Sequence, residues 1–305
     1  MSRHLGLDLG GTNIKWVVVE RLADADGATW TKLADDQVPT LADGGPDNVI
    51  QRLAAVGRTA MVEWPDVESV GIGVPGLYDP RTGNTRMLPN LPGDWDGRPM
   101  AAVVGKALQR PTFLINDARA FGLAELRLGA GRGVKTMVGI TLGTGIGGVI
   151  AIDGRVHQGH DGTAGEVGHI TIDPNGPDCT CGSNGCLEAF ARADRMEELA
   201  GAPTAEEAVD RARAGDERAL AALATVGRYL GIGIATMINL VTPDRVVIGG
   251  GVAAALDLLR PAIHAELERR VTTTDLAQVD LVAAQLGTWA GGIGAAVHGA
   301  EMDGA

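Results

Sequence analysis

The sequence predicts an α/β protein with mixed sheets, built from two related halves. Three observations carry this. Short apolar strands alternate with segments of helical spacing along most of the 305 residues, the order expected of an α/β protein. Two strand–turn–strand signatures, near residues 5–20 and 136–152, each close on a glycine-rich turn carrying threonine, so some neighbouring strands are antiparallel. The two signatures also resemble each other, an internal repeat that implies paired halves. At roughly 150 residues per domain, the length fits two domains.

Taken in order, Leu5 to Leu9 reads as a strand stopped by Gly10-Gly11, and Ile14 to Glu20 returns from it. Asn48 to Glu63 has helical spacing, with Val49, Leu53, Val56 and Met61 on or near one face. Val70 to Val74 is a strand ending at Pro75-Gly76. Tyr78 to Gly97, rich in Pro, Gly, Asp and Asn, is expected to be a long loop. Met100 to Leu108 is a helix. Thr112 to Ile115 is a strand followed at once by Asn116-Asp117, and Ala118 to Leu128 is a helix. Thr136 to Leu142 and Gly148 to Ile152 form the second hairpin. From Leu187 helices dominate: Ala189 to Ala200, Thr204 to Ala214, Glu217 to Asn239 and Ala254 to Arg270. The strand Arg245 to Ile248 runs into Gly249-Gly250-Gly251. A last strand is placed near Asp280 to Ala283, and a glycine-rich helix starts at Ala290.

Composition narrows the function. A formal net charge of −12 gives no steering toward nucleic acid or anionic lipid, and 3% aromatic residues leave little for base stacking. A bound phosphate must therefore be held by local dipoles and metal. Glycine supplies 45 residues, about twice the usual ~7% share, in clusters that mark tight turns. Thr136 to Ile152 and Leu281 to Ala300 lack Asp, Glu, Lys and Arg. The first is short for a bilayer, and the second carries Gln285 and His298, so neither reads as a membrane span. With no leader pattern at the N-terminus, the protein is expected to be cytoplasmic.

Gly71 to Gly76 and Gly143 to Gly148 both match G-x-G-x-x-G. A dinucleotide fold needs a helix directly after that turn. A Pro-rich loop follows the first match and a strand the second, so a nicotinamide site is not expected. No P-loop pattern is present either. In Asp8-Leu9-Gly10-Gly11-Thr12-Asn13, adjacent glycines let backbone N–H groups approach an anion, and Thr12 adds a hydroxyl. Asp8 can hold Mg²⁺ through water. An ordinary hairpin turn explains this segment alone equally well. The second turn, Gly143-Thr144-Gly145, repeats the equipment, and two such turns can grip a triphosphate.

Asn116-Asp117 ends a strand, where ligands bind in open α/β sheets. A carboxylate there can accept a hydroxyl proton, and an amide can fix a sugar. Spacing alone favours a helix cap. His169, Cys179, Cys181 and Cys186 offer one imidazole and three thiolates, a closed tetrahedral set for structural Zn²⁺. An odd, clustered cysteine count agrees with metal ligation in a reducing compartment. Glu166 and Glu188 flank this knot and are either solvated charges or acceptors for sugar hydroxyls. The Gly249-Gly250-Gly251 turn can approach an adenosine flatly, although a plain strand-to-helix turn fits as well.

Together these pieces resemble the ROK family of sugar kinases and repressors, in order along nearly the whole chain. They are Leu7-Asp8-Leu9-Gly10-Gly11-Thr12, Gly73-Val74-Pro75-Gly76, Asn116-Asp117-Ala118, Leu142 to Gly148, Glu166-Val167-Gly168-His169, Cys179 to Glu188 and Gly249-Gly250-Gly251. The resemblance implies an actin-like (ribonuclease H-like) fold of two lobes with the active site in the cleft. The lobes would be residues 1–117, with a C-terminal helix near 290–305 packing back, and 118–289 with the zinc loop. It implies ATP-dependent phosphorylation of a hexose at its primary 6-hydroxyl, most simply glucose, with ATP and Mg²⁺ as cofactors and Zn²⁺ as a structural metal. Kinases for N-acetylmannosamine, N-acetylglucosamine or fructose are the alternatives, and a non-catalytic sugar sensor is the reading from another class.

The resemblance also implies Asp117 as catalytic base. Gly76, Asn90, Asn116, Glu166, His169 and Glu188 would be sugar contacts. Asp8, Gly10, Gly11, Thr12, Thr144, Gly145, Gly250 and Gly251 would bind the nucleotide and its metal. Asn90 to Trp95 looks like the sugar-side loop of family glucokinases, with Asp94 where a bulkier residue is expected. Seven residues before Asp8 leave no room for the family repressors' helix-turn-helix, so DNA binding is not expected. The zinc knot sets the chain apart from polyphosphate-using glucokinases, which usually lack it. A homodimer or homotetramer is expected.

Overall fold

A computed structural model describes residues 1–24 and 27–304. In chain order the elements are β1 (Ser2–Leu9), β2 (Asn13–Asp24), β3 (Gly27–Pro39), α1 (Gly45–Glu63), β4 (Val67–Val74), β5 (Leu77–Asp79), β6 (Asn84–Met87), α2 (Met100–Leu108), β7 (Thr112–Asn116) and α3 (Asp117–Arg127). There follow β8 (Met137–Leu142), β9 (Ile146–Ile152), β10 (Arg155–Val156), α4 (Leu187–Ala191), α5 (Ala193–Ala200), α6 (Ala205–Arg213) and α7 (Glu217–Val241). The chain continues with β11 (Arg245–Gly249), α8 (Leu256–Arg270), β12 (Asp280–Ala283) and α9 (Ala290–Asp303).

They make two compact units. Unit 1 holds residues 1–132, 158–164 and 288–305, and unit 2 holds 133–157 and 165–287. Each is built on a five-stranded sheet, ordered β3-β2-β1-β4-β7 in unit 1 and β10-β9-β8-β11-β12 in unit 2. The directions match as well as the order. β1 is antiparallel to β2 and parallel to β4, and β8 is antiparallel to β9 and parallel to β11. The repeat read from two hairpins is therefore a repeat of whole sheets.

Unit 1 keeps α3, which the expected boundary at 117 assigned to the second lobe. The cause is α9, which lies against both α3 and the sheet at near-backbone distance. A Cβ added at Gly6 or Gly71 would sit 1.9 or 1.7 Å from carbonyls of Gly292 or Ala295. One added at Gly294 would sit 1.7 Å from the Ala120 carbonyl. This accounts for the charge-free glycine-rich stretch after Leu281, since only bare backbone lets a helix pack so closely from both sides.

In unit 2, α7 carries buried Leu223, Val226, Leu230, Ile234 and Ile238, a stripe at three- and four-residue spacing that forms the core with α8 and the sheet. The helix is long and apolar enough to cross a membrane, but that apolar stripe is buried in the protein.

Several elements depart from the sequence reading, among them the short β10, which was not expected. β3 was not expected, because its residues follow no burial alternation that a half-buried strand would show. The stretch 78–97, expected as loop throughout, contains the β5–β6 hairpin. The helix expected over Ala189 to Ala200 is broken between α4 and α5 at Arg192, whose backbone is extended (φ −69°, ψ 164°).

Candidate active site

In unit 1, β1 and β2 are joined by Gly10, Gly11 and Thr12. Gly10 N–H donates to the Asn13 carbonyl at 2.9 Å. The turn is held from outside by buried Thr40, which donates its hydroxyl to the Gly10 carbonyl at 2.7 Å and its N–H to the Thr12 carbonyl at 2.8 Å. Gly11 and Thr12 face solvent.

Asp8 stands one residue before the end of β1, in register with Lys15 on β2 and Gly73 on β4. Its carboxylate rests on the first turn of α9, where a Cβ at Gly291 would lie 2.6 Å from Oδ2. Burial pushes its pKa up to about 6, Lys15 pulls it down, and the nearby Asp117 charge raises it further.

Asn116 ends β7 and caps α3. Its Oδ1 accepts from Ala118 N–H at 3.1 Å and Arg119 N–H at 3.3 Å, while its Nδ2 donates to the Gly76 carbonyl at 3.2 Å. The cap that spacing favoured is real, and it fixes the next residue. Half-buried Asp117 accepts from Ala118 N–H at 2.8 Å at a helix start, where a negative charge is favoured.

Asn90 is exposed, and its backbone carbonyl lies 3.1 Å from where a Cβ on Gly11 would be. Buried Leu88, Leu91 and Trp95 anchor its loop. Asp94, where the resemblance led to the expectation of a bulkier residue, accepts from Asp96 N–H at 3.1 Å, and its carbonyl accepts from Arg98 Nε at 3.0 Å. The shorter side chain thus makes a local turn that a bulkier one could not.

Unit 2 repeats the glycine turn with Gly143, Thr144 and Gly145 between β8 and β9, closed by Gly143 N–H to the Gly145 carbonyl at 3.0 Å. Thr144 is exposed. At the same sheet end β11 runs into Gly250, with φ 85°, whose Cβ would lie 2.1 Å from the Leu142 carbonyl. Only glycine can take that backbone and that contact. Gly251 follows, exposed, so two glycine turns flank the end of β8.

Beside them lies a candidate metal site. Ligand atoms of His169, Cys179, Cys181 and Cys186 all fall within 4.8 Å of one another. His169 Nδ1 is 3.7 Å from Cys179 Sγ, and Cys181 Sγ is 3.7 Å from Cys186 Sγ. A tetrahedron with zinc–sulfur bonds of about 2.3 Å has edges of about 3.8 Å, so the donor set fits a zinc ion. Glu188 is buried, and its Oε2 accepts from Ile146 N–H at 2.7 Å. Glu166 is exposed and opens the short 3-10 turn that carries His169.

Within unit 1 the structure gathers Asp8, the first glycine turn, Gly76, Asn90, Asn116 and Asp117. Within unit 2 it gathers Thr144, Gly145, Gly250, Gly251, Glu166, Glu188 and the four candidate zinc ligands. The sequence reading missed Thr40 and Gly291. Thr40 follows a strand that was not expected. Gly291 belongs to a visible glycine pair whose target, Asp8, is 283 positions away.

Two sheets of one topology, each with a glycine turn closing the hairpin on its central strand, define the actin-like ATPase fold. The ROK family's sequence profile matches residues 4–300. The chain belongs to the ROK family. Glucokinase of Thermotoga maritima is 36% identical to it, over 96% of this chain and 95% of that protein. Among solved structures, a ROK hexokinase from Thermus thermophilus superposes with a TM-score of 0.86 at 36% identity, covering 99% of this chain and 100% of that one. A ROK family glucokinase from Streptomyces griseus, in complex with glucose and AMPPNP, superposes with a TM-score of 0.80 at 30% identity, covering 98% and 100%.

Proposed function

We propose that this chain transfers the γ-phosphoryl group of ATP to the primary 6-hydroxyl of glucose. The coarser statement is plain: the chain is an ATP-dependent sugar kinase. The observation that carries the finer one is the carboxylate of Asp117, set at the start of α3 by the Asn116 cap and electrostatically coupled to Asp8. The Streptomyces griseus relative, in complex with glucose and AMPPNP, supports glucose as the sugar.

In this reading unit 1 supplies the chemistry. Asp117 accepts the proton of the sugar hydroxyl as its oxygen attacks phosphorus, and the leaving group is ADP. Asp8 would hold Mg²⁺, and a metal there would neutralise charge developing on the phosphates. Gly11 and Thr12 present backbone N–H groups and a hydroxyl to phosphate, while Gly76, Asn90 and Asn116 contact the sugar. Unit 2 supplies Thr144 and Gly145 to phosphate, Gly250 and Gly251 to adenosine, and Glu166, His169 and Glu188 to sugar hydroxyls. His169, Cys179, Cys181 and Cys186 would hold zinc, which would supply a structural tie for this segment, and the ring nitrogen of His169 not used for the metal would meet a sugar hydroxyl. Positioning and charge neutralisation supply most of the rate. Three thiolate ligands suit a reducing, cytoplasmic setting.

A coupled ADP-release assay with glucose, fructose, N-acetylmannosamine and N-acetylglucosamine tests the reading. Glucose should give the highest kcat/KM. Asp117→Ala should lower kcat by roughly 10²–10⁴-fold with little change in Tm. Near-native turnover by that variant would overturn the assignment of Asp117, and a higher kcat/KM for an aminosugar would overturn glucose.

A further inference from the structure

The polar contacts of Glu188 lead to the phosphate turn. Its Oε2 accepts from the N–H of Ile146, the first residue of β9 and the one directly after Gly145. This is a charge-assisted bond at 2.7 Å to a buried carboxylate, the strong kind. The approach is so close that a Cβ at Gly145 would lie 2.6 Å from the same oxygen.

The other oxygen, Oε1, faces the cysteine arm of the metal cluster: Thr180 Oγ1 is at 3.5 Å and Cys179 Sγ at 3.9 Å. Ile146 is also held from its other side. A Cβ at Gly168 would lie 2.1 Å from the Ile146 carbonyl oxygen, and Gly168 immediately precedes the candidate ligand His169. Both arms of the knot therefore close on one residue, Ile146: Glu188, two positions beyond Cys186, on its N–H, and Gly168, one before His169, against its carbonyl. Between these arms the chain has little regular structure. The isolated bridges Thr171–Cys186 and Asp178–Asn184 and a set of turn hydrogen bonds, among them Cys179 N–H to the Ser183 carbonyl at 2.8 Å and Gly185 N–H to the Pro177 carbonyl at 2.8 Å, order residues 170–186, and the four candidate ligands converge within this loop, where a metal would lock it.

We propose that the zinc knot is the clamp of the Gly143-Thr144-Gly145 turn, that Glu188 is the residue through which it acts, and that metal occupancy therefore sets nucleotide affinity directly. This rests on the kinase reading and assigns Glu188 a positioning role in phosphate binding besides any contact with sugar. The turn presents its N–H groups where β9 begins. Freeing Ile146 lets that origin shift, and a misplacement of about 1 Å costs on the order of 10²-fold in rate.

Binding of Mg–AMPPNP without sugar, measured by calorimetry, isolates the effect from any sugar contact. Glu188→Ala should weaken it by at least about tenfold, the loss of one buried charge-assisted bond. Glu188→Gln, which keeps a carbonyl oxygen for the Ile146 N–H, should restore most of it. Removing zinc from the wild type with a chelator should weaken AMPPNP binding similarly and speed amide hydrogen exchange at Ile146, leaving exchange at Gly11 and Thr12 unchanged. The chelation arm needs no substitution, so it decides the matter even if Glu188→Ala fails to fold. Unchanged AMPPNP affinity and unchanged Ile146 exchange after zinc removal, with glucose affinity alone reduced, would overturn the proposal. Failure of the zinc-replete wild type to bind AMPPNP at all would instead sink the kinase reading.

Discussion

The turn Gly10–Thr12 and the turn Gly143–Gly145 close equivalent hairpins in sheets of the same strand order. Asp8 in β1 pairs with Gly73, and Thr141 at the matching place in β8 pairs with Gly249. One turn thus carries a carboxylate at the strand end and the other a hydroxyl. The anchors differ as well. Neutral hydrogen bonds from Thr40 hold the first turn, whereas a carboxylate carried by the metal-binding segment holds the second. A repeated topology supplies two glycine turns with different neighbours. Unit 1 sets the carboxylates of Asp8 and Asp117 near the first, and in unit 2 buried Glu188 holds the residue after the second; in the proposed function this divides metal and proton chemistry from phosphate binding.

The largest effect should come from making the first strand end resemble the second. Asp8→Asn removes the carboxylate at that position and should cost roughly 10²-fold or more in kcat, the scale for losing one fixed group that balances developing charge. The same change should stabilise the ligand-free protein. The folded pKa of Asp8 is raised to about 6 from 3.8, so folding favours the protonated form and the cost of the carboxylate grows as pH rises from about 4 to about 6 and is constant above that. At about 1.4 kcal/mol per pKa unit, the gain at pH 7.5 should approach about 3 kcal/mol and vanish below pH 4. Urea melts without nucleotide or magnesium measure it, and equal stability of the two proteins at pH 7.5 would contradict it.

A comparable stability effect is tied to unit 1 alone. Burial lowers the pKa of His298 on α9 and of His4 on β1 to about 4. Their contribution is complete above the unfolded value near 6.5 and is lost as pH falls toward 4, by up to about 3 kcal/mol for deeply buried His298. His298→Gln should flatten unfolding free energy against pH within that window, and an unchanged slope would contradict the assignment.

The smallest effect sharpens the contrast between anchors. Thr40→Val removes one hydroxyl bond to the Gly10 carbonyl and should cost about 1 kcal/mol of stability, with a severalfold rise in KM for ATP. That rise should be the same with and without zinc. A zinc-dependent rise would show that the two turns are not separately held.

Local features were readable from sequence. Both hairpins, the Asn116 cap and the cysteine cluster each depend on residues within a few positions of one another, and all stand as expected. The unreadable parts depend on distant pairing. Asp8 needs Gly291, and Gly6 and Gly71 need the backbone of α9, so no local pattern could assign α3 to unit 1. β3 pairs with β2 along its length, apart from a bulge at Leu33, but lacks the alternation that announces a strand. Glu188 was placed correctly beside the knot, yet its bond to Ile146 spans 42 positions and shows only in three dimensions.

The place of α9 also orders events during synthesis. Residues 133–157 and 165–287 all leave the ribosome before residues 288–303, so unit 2 has its full sequence while unit 1 still lacks a helix. Until α9 arrives, the sheet face around Gly6 and Gly71 stays wet and Asp8 has no Gly291 to rest on. The nascent chain therefore has every residue of the second turn's unit before the packing around Asp8 can be completed.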